Sequence, residues 1–209
     1  MFFIGVAGGS GSGKTTFTSK ILTRVAQLKN LDVADPESGV VVIHQDNYYL
    51  PSPPPHLRVH GEPNFDHPDA FDWALLRQHL SALREGRPIE VPVYDFRASR
   101  RTTETRKIGP CRTLILEGIF SLWDAEIRGL FDVKIFLNVD ADIRFIRRLH
   151  RDVRERGRTL DGIIRQYYDT VRPMHHEFLD PTRQYADLIV GEETDIAAEI
   201  LSAKLAQYH

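Results

Sequence analysis

The chain has 209 residues, 42% apolar and 27% charged, with a formal net charge of −2. That balance suits one α/β domain with a full core, or one domain plus a small appendage. It excludes a global field that would gather nucleic acid or anionic membrane. No run approaches the roughly 18 apolar residues of a membrane helix, and the single cysteine, Cys111, admits no internal disulfide, which is compatible with a reducing cytoplasm.

Phe2 to Ala7 is a short apolar run ended by glycines, the pattern of a buried parallel strand. With a strand and a Gly-rich loop directly after Met1, no signal peptide is expected. Gly8-Gly9-Ser10-Gly11-Ser12-Gly13-Lys14-Thr15 then matches G-x-x-x-x-G-K-[ST] in full. Its glycines let successive backbone N–H groups converge on phosphate oxygens, and the helix that follows adds its positive N-terminal end. Lys14 is expected to reach the β- and γ-phosphates of ATP and the Thr15 hydroxyl to bind Mg²⁺. The apolar spacing of Phe17, Ile21, Leu22, Val25 and Leu28 predicts a helix from Lys14 to Leu28. Asn30 to Gly39, with Pro36, reads as a loop.

Val40 to Ile43 is a second buried strand whose C-terminal edge carries His44, Gln45 and Asp46. A carboxylate there can accept the proton of a hydroxyl that attacks a γ-phosphate; an ordinary turn acid is the competing reading. Residues 50–68 hold Pro51, Pro53, Pro54, Pro55, Pro63 and Pro68, so neither helix nor central strand fits, and so long a loop is often functional. Within it, Asp66 could accept both hydroxyls of a ribose diol or simply form an Asx-turn. A helix is predicted from Asp69, as N-cap, to near Gly86.

Ile89 to Phe96 and Thr102 to Ile108 read as two strands of a hairpin off the main sheet. Phe65, Tyr94 and Phe96 could stack on a base or belong to the core, and Trp73 and Trp123 read as packing residues. Thr113 to Leu116 is a third buried strand, ended by Glu117 at a Walker B position, where an acid serves the Mg²⁺ shell. Val133 to Val139 is a fourth strand. Asp140 to Arg156 and Asp161 to Phe178 are predicted helices, Leu188 to Val190 a fifth strand, and a last helix follows. Buried strands alternating with helices imply a parallel sheet covered on both faces, with ligands at the C-terminal strand edges.

Arg144, Arg147, Arg148, Arg151, Arg154, Arg156 and Arg158 crowd one stretch. Helical spacing puts Arg147, Arg151, Arg154 and Arg158 on one face, while Asp152 and Glu155 neutralise little of the charge. Such a cluster could close over ATP, with Gly157 as a break; a solvated face and an RNA-binding face are the alternatives. The nine histidines are scattered and give no zinc spacing.

Taken in order, these pieces resemble the uridine–cytidine kinases. The likeness runs from Gly5 to about Gly191. It is carried by the phosphate loop, Gln45 to Tyr49, Asn64 to Asp72, Pro92 to Phe96, Leu116 to Ile119, Arg147 to Arg158 and Ala186 to Ile189, with Asn-Phe-Asp-His-Pro-Asp-Ala-Phe-Asp the most telling. The resemblance implies a P-loop NTPase fold, three-layer α/β/α with a five-stranded parallel sheet, a small substrate-side β-hairpin and an Arg-rich helical lid. It implies one kinase domain over 1–209, with a substrate-side segment at about 46–110 and a lid at about 144–160. By position, Asp46 is the expected base, with Lys14 and Arg151 also catalytic, and Thr15, Asp46 and Glu117 are the magnesium shell. Gly8 through Thr16, with Arg151 and Arg156, are the expected ATP contacts. Tyr49, Phe65, Asp66, Tyr94, Phe96, Arg148, Arg158 and Gln166, together with Asp46, are the nucleoside pocket.

The implied activity is ATP-dependent phosphorylation of a pyrimidine ribonucleoside in salvage, by a cytoplasmic protein without nucleic-acid or membrane partners. A homotetramer and inhibition by CTP and UTP are family traits, not read from these residues. One departure stands out: where many members carry a base-reading histidine, this chain has Ser99. That leaves uridine, cytidine, both or a less usual nucleoside open. A kinase of another small alcohol, such as a sugar phosphate or pantothenate, is the alternative. A regulatory GTPase is disfavoured because N-K-x-D and D-x-x-G are both absent, and a nucleic-acid-binding protein is disfavoured by the net acidity.

Overall fold

The computed structural model describes residues 1–32, 39–52 and 54–207. The expected loop at Asn30–Gly39 falls mostly at 33–38, outside the described residues, as does Pro53. The chain begins with β1 (Phe2–Gly8), α1 (Lys14–Lys29) and β2 (Val40–His44), then a 3-10 turn, Gln45–Tyr48. The proline-rich segment holds a 3-10 turn, Pro55–Leu57, and a pair of two-residue strands, β3 (Arg58–Val59) and β4 (Glu62–Pro63). After it come α2 (Trp73–Arg84), β5 (Ile89–Asp95), β6 (Arg100–Ile108), β7 (Thr113–Glu117), α3 (Ala125–Gly129) and β8 (Val133–Leu137). The C-terminal part consists of α4 (Ala141–Arg154), α5 (Leu160–Gln166), α6 (Arg172–Met174), β9 (Leu188–Val190) and α7 (Asp195–Gln207).

The main sheet has five strands in the order β2-β7-β1-β8-β9, all parallel. Alternation along the strands divides the apolar side chains between two layers. Ile4, Val6, Ile115 and Ile135 face α1 and α7, meeting Phe17, Ile21, Val25, Ala198, Leu201 and Leu205. Phe3, Ala7, Leu114, Leu116 and Phe136 face the opposite layer, where α2 contributes Leu76, Leu80 and Leu83. Order β7 next to β1 sets Glu117 beside the end of the strand that feeds the phosphate loop, since Val6 pairs with Glu117. Among the described residues, no helix is long and apolar enough to cross a membrane.

The hairpin β5–β6 forms its own two-stranded sheet. Its register slips between Pro92 and Tyr94, where proline has no N–H to give the ladder. Two expectations fail locally. The helix after the proline segment starts at Trp73, not Asp69, and its N-cap is Asp72, whose Oδ1 accepts from Leu75 N at 3.1 Å. Residues Pro68–Ala70 form a separate 3-10 turn, because Pro68 presets φ but Phe71 is extended (φ −105°, ψ 145°) and ends the turn. The expected helix Asp161–Phe178 is interrupted: widened π turns at Tyr167–Val171 and His175–Leu179 flank α6. Pro173 lies at the start of α6, and a proline inside a helix removes one hydrogen bond and clashes with the carbonyl four residues back.

Candidate active site

The phosphate loop curls between β1 and α1. Lys14 Nζ folds back to donate to the carbonyls of Gly8 (2.9 Å) and Gly9 (3.1 Å). The loop is backed by the start of α4. Arg144 is buried and donates Nε to Val139 O at 2.9 Å. A Cβ on Gly11, which has φ +81°, would lie 2.2 Å from the Arg144 carbonyl, so glycine is required there by both conformation and space. Thr15 and Thr16 are exposed in the first turn of α1.

Three side chains meet at the sheet edge. Thr15 Oγ1 donates to Glu117 Oε1 at 2.7 Å, and His44 Nδ1 lies 2.5 Å from the same oxygen. Burial opposes ionisation of Glu117, but the bonds from His44 and Thr15 and the Lys14 charge hold its pKa below the ordinary value. The His44 pKa is raised, chiefly by its bond to Glu117. The next residue after β7, Gly118, passes so close to Gln45 that a Cβ would sit 2.3 Å from that side chain. Gln45 Oε1 in turn accepts from Phe120 N at 2.8 Å, which fixes the strand-edge loops against each other.

Asp46 follows β2 in the 3-10 turn and lines a cleft together with Ser10 of the phosphate loop. Burial raises its pKa, against the pull of Lys14 and Arg156. Burial likewise lowers the Lys14 pKa, opposed by Glu117 and Asp46. The cleft encloses about 80 Å³ and opens to solvent, less than the roughly 300–1,000 Å³ of a closed small-molecule site. Its walls include Tyr49, Phe65, Tyr94, Phe96 and Ser99, the polar side chains Arg148, Arg151, Arg156, Arg158 and Gln166, and Asp66. The sequence-derived pocket residues are thus brought to one place. The aromatic wall is also a packed unit: Tyr49 stacks on Phe71 with centroids 4.3 Å apart and meets Tyr94 at 5.1 Å and Phe65 at 5.4 Å.

Asp66 is held by a network that its sequence context did not reveal. Thr170 Oγ1 donates to its Oδ2 at 2.8 Å, Gln166 Nε2 donates to the same atom at 3.2 Å, and Arg148 lies 4.0 Å from Oδ1. An Asx-turn is present here, but Asn64 makes it, its Oδ1 accepting from Asp66 N at 3.0 Å. The Asp66 carboxylate is therefore left to face the cleft.

The arginines do not share the face expected from spacing. Arg147 turns outward to pair with Glu192, and Arg154 is exposed. The cleft instead takes Arg148 and Arg151 from α4 and Arg156 and Arg158 from the segment after it. Within α4 it is the side carrying Arg148 and Asp152, with Arg151 beside it, that turns to the cleft, and Arg158 reaches the cleft from the segment after the helix. Asp152, expected to neutralise little, is fully buried among four of these arginines. Its signal in the sequence was an acid four residues after Arg148, the spacing of a helical ion pair. Arg151 also reaches Ser10 Oγ at 3.5 Å, and Arg156 lies over the Phe96 ring at 4.2 Å.

Comparison with known proteins places these features in context. The family model described as phosphoribulokinase / uridine kinase family matches residues 3–197. A uridine kinase of Deinococcus deserti is 46% identical over 206 residues, covering 98% of this chain and 95% of that protein. A uridine kinase of Lactobacillus helveticus is 44% identical, covering 97% and 92%. Among solved structures, phosphoribulokinase from Rhodobacter spheroides superposes with TM-score 0.67 at 16% identity, covering 91% of this chain and 69% of that one. A structure titled as a possible uridine kinase from Bacillus stearothermophilus gives TM-score 0.55 at 20% identity, covering 90% and 88%. At those identities the two structures speak to the fold alone.

Proposed function

The chain belongs to the phosphoribulokinase / uridine kinase family, and from that premise we propose that it transfers the γ-phosphoryl group of ATP to the 5′-hydroxyl of a pyrimidine ribonucleoside, uridine and/or cytidine, as in pyrimidine salvage. The observation that carries this reading is the placement of two carboxylates, Asp46 and Asp66, in one cleft walled by aromatic rings and arginines and bordered by the phosphate loop.

In the proposed reaction the nucleoside 5′-oxygen attacks the γ-phosphorus, the bond from that phosphorus to the β–γ bridging oxygen breaks, and ADP leaves. The hydroxyl proton passes to Asp46, whose carboxylate burial makes a stronger base than a solvated one. The phosphate loop holds the triphosphate through its backbone N–H groups and Lys14. Arg151, beside Ser10, and Arg156 are placed to spread charge on the transferring group. Asp66 accepts the ribose diol, and the aromatic wall takes the base.

The residues present fit a magnesium ion carried in with the nucleotide. Glu117 Oε2 is buried and makes no hydrogen bond, beside the Thr15 hydroxyl. Among the described residues no group of three His, Cys, Asp or Glu could hold a metal ion, which agrees with an ion bound largely by phosphate and water. Thr15 and Glu117, with Asp46 through water, would hold it, and it would neutralise charge on the β- and γ-phosphates.

A kinase of a sugar phosphate or pantothenate is the second reading, and Asp66 with its aromatic neighbours favours the nucleoside over it. Coupled measurement of ADP release with uridine, cytidine, ribulose 5-phosphate and pantothenate tests the choice. Turnover with either nucleoside and not with the other alcohols is expected; turnover confined to a sugar phosphate or pantothenate overturns the proposal.

A further inference from the structure

Asp152 is wholly buried in the arginine helix, and its two oxygens serve different partners. Oδ1 accepts from Arg151 Nε at 2.9 Å and lies 3.5 Å from Arg156. Oδ2 lies 3.4 Å from Arg148 Nε and 3.7 Å from Arg158. The division continues outward. Arg151 reaches Ser10 of the phosphate loop. Arg148 and Arg158 both donate to Gln166 Oε1, at 2.8 and 2.9 Å, and Gln166 donates onward to Asp66. One oxygen therefore faces the triphosphate side and the other faces the sugar side.

The two halves also differ in tightness. The Oδ1 contacts include a full hydrogen bond, whereas Oδ2 and Arg148 Nε are both buried without one. The Oδ2 pair has room to shorten. A carboxylate buried among four guanidinium groups cannot lose or reorient one partner without changing the field on the others. We propose that Asp152 is a positioning residue that couples the two substrate sites, so that seating the triphosphate draws Arg148 and Arg158 onto the sugar-binding network and nucleoside binding strengthens. Linkage makes the effect reciprocal: the nucleoside tightens the triphosphate by the same factor. This inference rests on the nucleoside-kinase reading above and adds that the substrates bind with positive cooperativity through one side chain.

Calorimetric titration of uridine into the full-length protein, with Mg²⁺ and with or without a non-hydrolysable ATP analogue, tests it. In the wild type the analogue tightens uridine by at least about fivefold, the lower end of ordinary coupling. In Asp152→Asn that factor falls to near one, with kcat reduced and both KM values raised, and Asp152→Glu restores part of the coupling. Should the Asn variant fail to fold, Gln166→Met decides: it cuts the relay to Asp66, so the factor drops while affinity for the analogue alone stays the same. A wild-type factor of one, or an undiminished factor in folded Asp152→Asn or in Gln166→Met, overturns the proposal. Absence of any uridine turnover by the wild type would overturn the kinase reading itself, so the two failures are told apart.

Discussion

The Thr170 hydroxyl donates to Asp66 Oδ2 at 2.8 Å, across 104 positions of chain. The bond orients the carboxylate before any diol arrives, with Gln166 on the same oxygen and Arg148 near the other. Asp66→Ala should raise the KM for uridine by about 10–100-fold, the value of charged hydrogen bonds to a ligand, while the KM for ATP moves by less than about threefold. Thr170→Val should raise the uridine KM by only about 3–10-fold. Initial rates against each substrate decide, and equal rises in both KM values would refute the diol role.

Asp72 serves two partners. Its Oδ1 caps α2, and its Oδ2 lies 3.3 Å from Arg101 of β6, whose Nε and NH2 atoms are buried without hydrogen bonds. Asp72→Ala removes the cap, worth about 1 kcal/mol, and strips the half-buried Arg101 of its counter-ion. The expected loss is about 2–4 kcal/mol in total, read as a lower urea midpoint with an unchanged slope. An unchanged midpoint would show that solvent replaces both contacts.

His175 gives the stability a pH dependence. Burial lowers its pKa to about 4, with Arg144, 3.3 Å away, and His176 adding to the effect and Asp180 opposing it. The imidazole is neutral in the folded chain, whereas the unfolded chain takes up a proton near pH 6.5. The unfolded state thus binds more protons between those values, so this contribution is full above pH 6.5 and is lost as pH falls from 6.5 towards 4. The loss is about 3 kcal/mol at most. Urea titrations of wild type and His175→Gln at pH 7 and pH 4.5 should show the steeper decline in wild type; parallel declines contradict it.

Ser99 lines the cleft at the hairpin turn with φ +50°. Histidine is among the residues that tolerate that conformation, so Ser99→His should fold normally. The longer side chain reaches further into the cleft, and the expected result is a lower nucleoside KM at unchanged kcat, the mark of added uniform binding. A fall in kcat with no gain in KM would mean that the added ring blocks the acceptor.

The parts of this architecture that follow from local pattern were legible. The strand, loop motif and helix from Phe2 to Lys29 fall in one register, and the strand at Leu188–Val190 has the predicted bounds. Asp46, Asp66, Tyr94 and Arg158, named from the resemblance to the uridine–cytidine kinases, line one cleft. What escaped depends on contacts far apart in sequence. Nothing near Thr170 marks it as a partner of Asp66, and Asp152 reads as a minor charge until the fold buries it. The arginine face differs because α4 turns Arg148 to the cleft and Arg147 and Arg154 outward, and Asp69 lies in a 3-10 turn that ends at Phe71, so the cap falls to Asp72.

The account depends most on Asp46. Single-turnover transfer from γ-labelled ATP to uridine should be about 10²–10⁴-fold slower in Asp46→Asn than in wild type, with affinity for a non-hydrolysable ATP analogue within about threefold of wild type. Transfer at the wild-type rate by that variant would contradict the assignment of the base and, with it, the proposed mechanism.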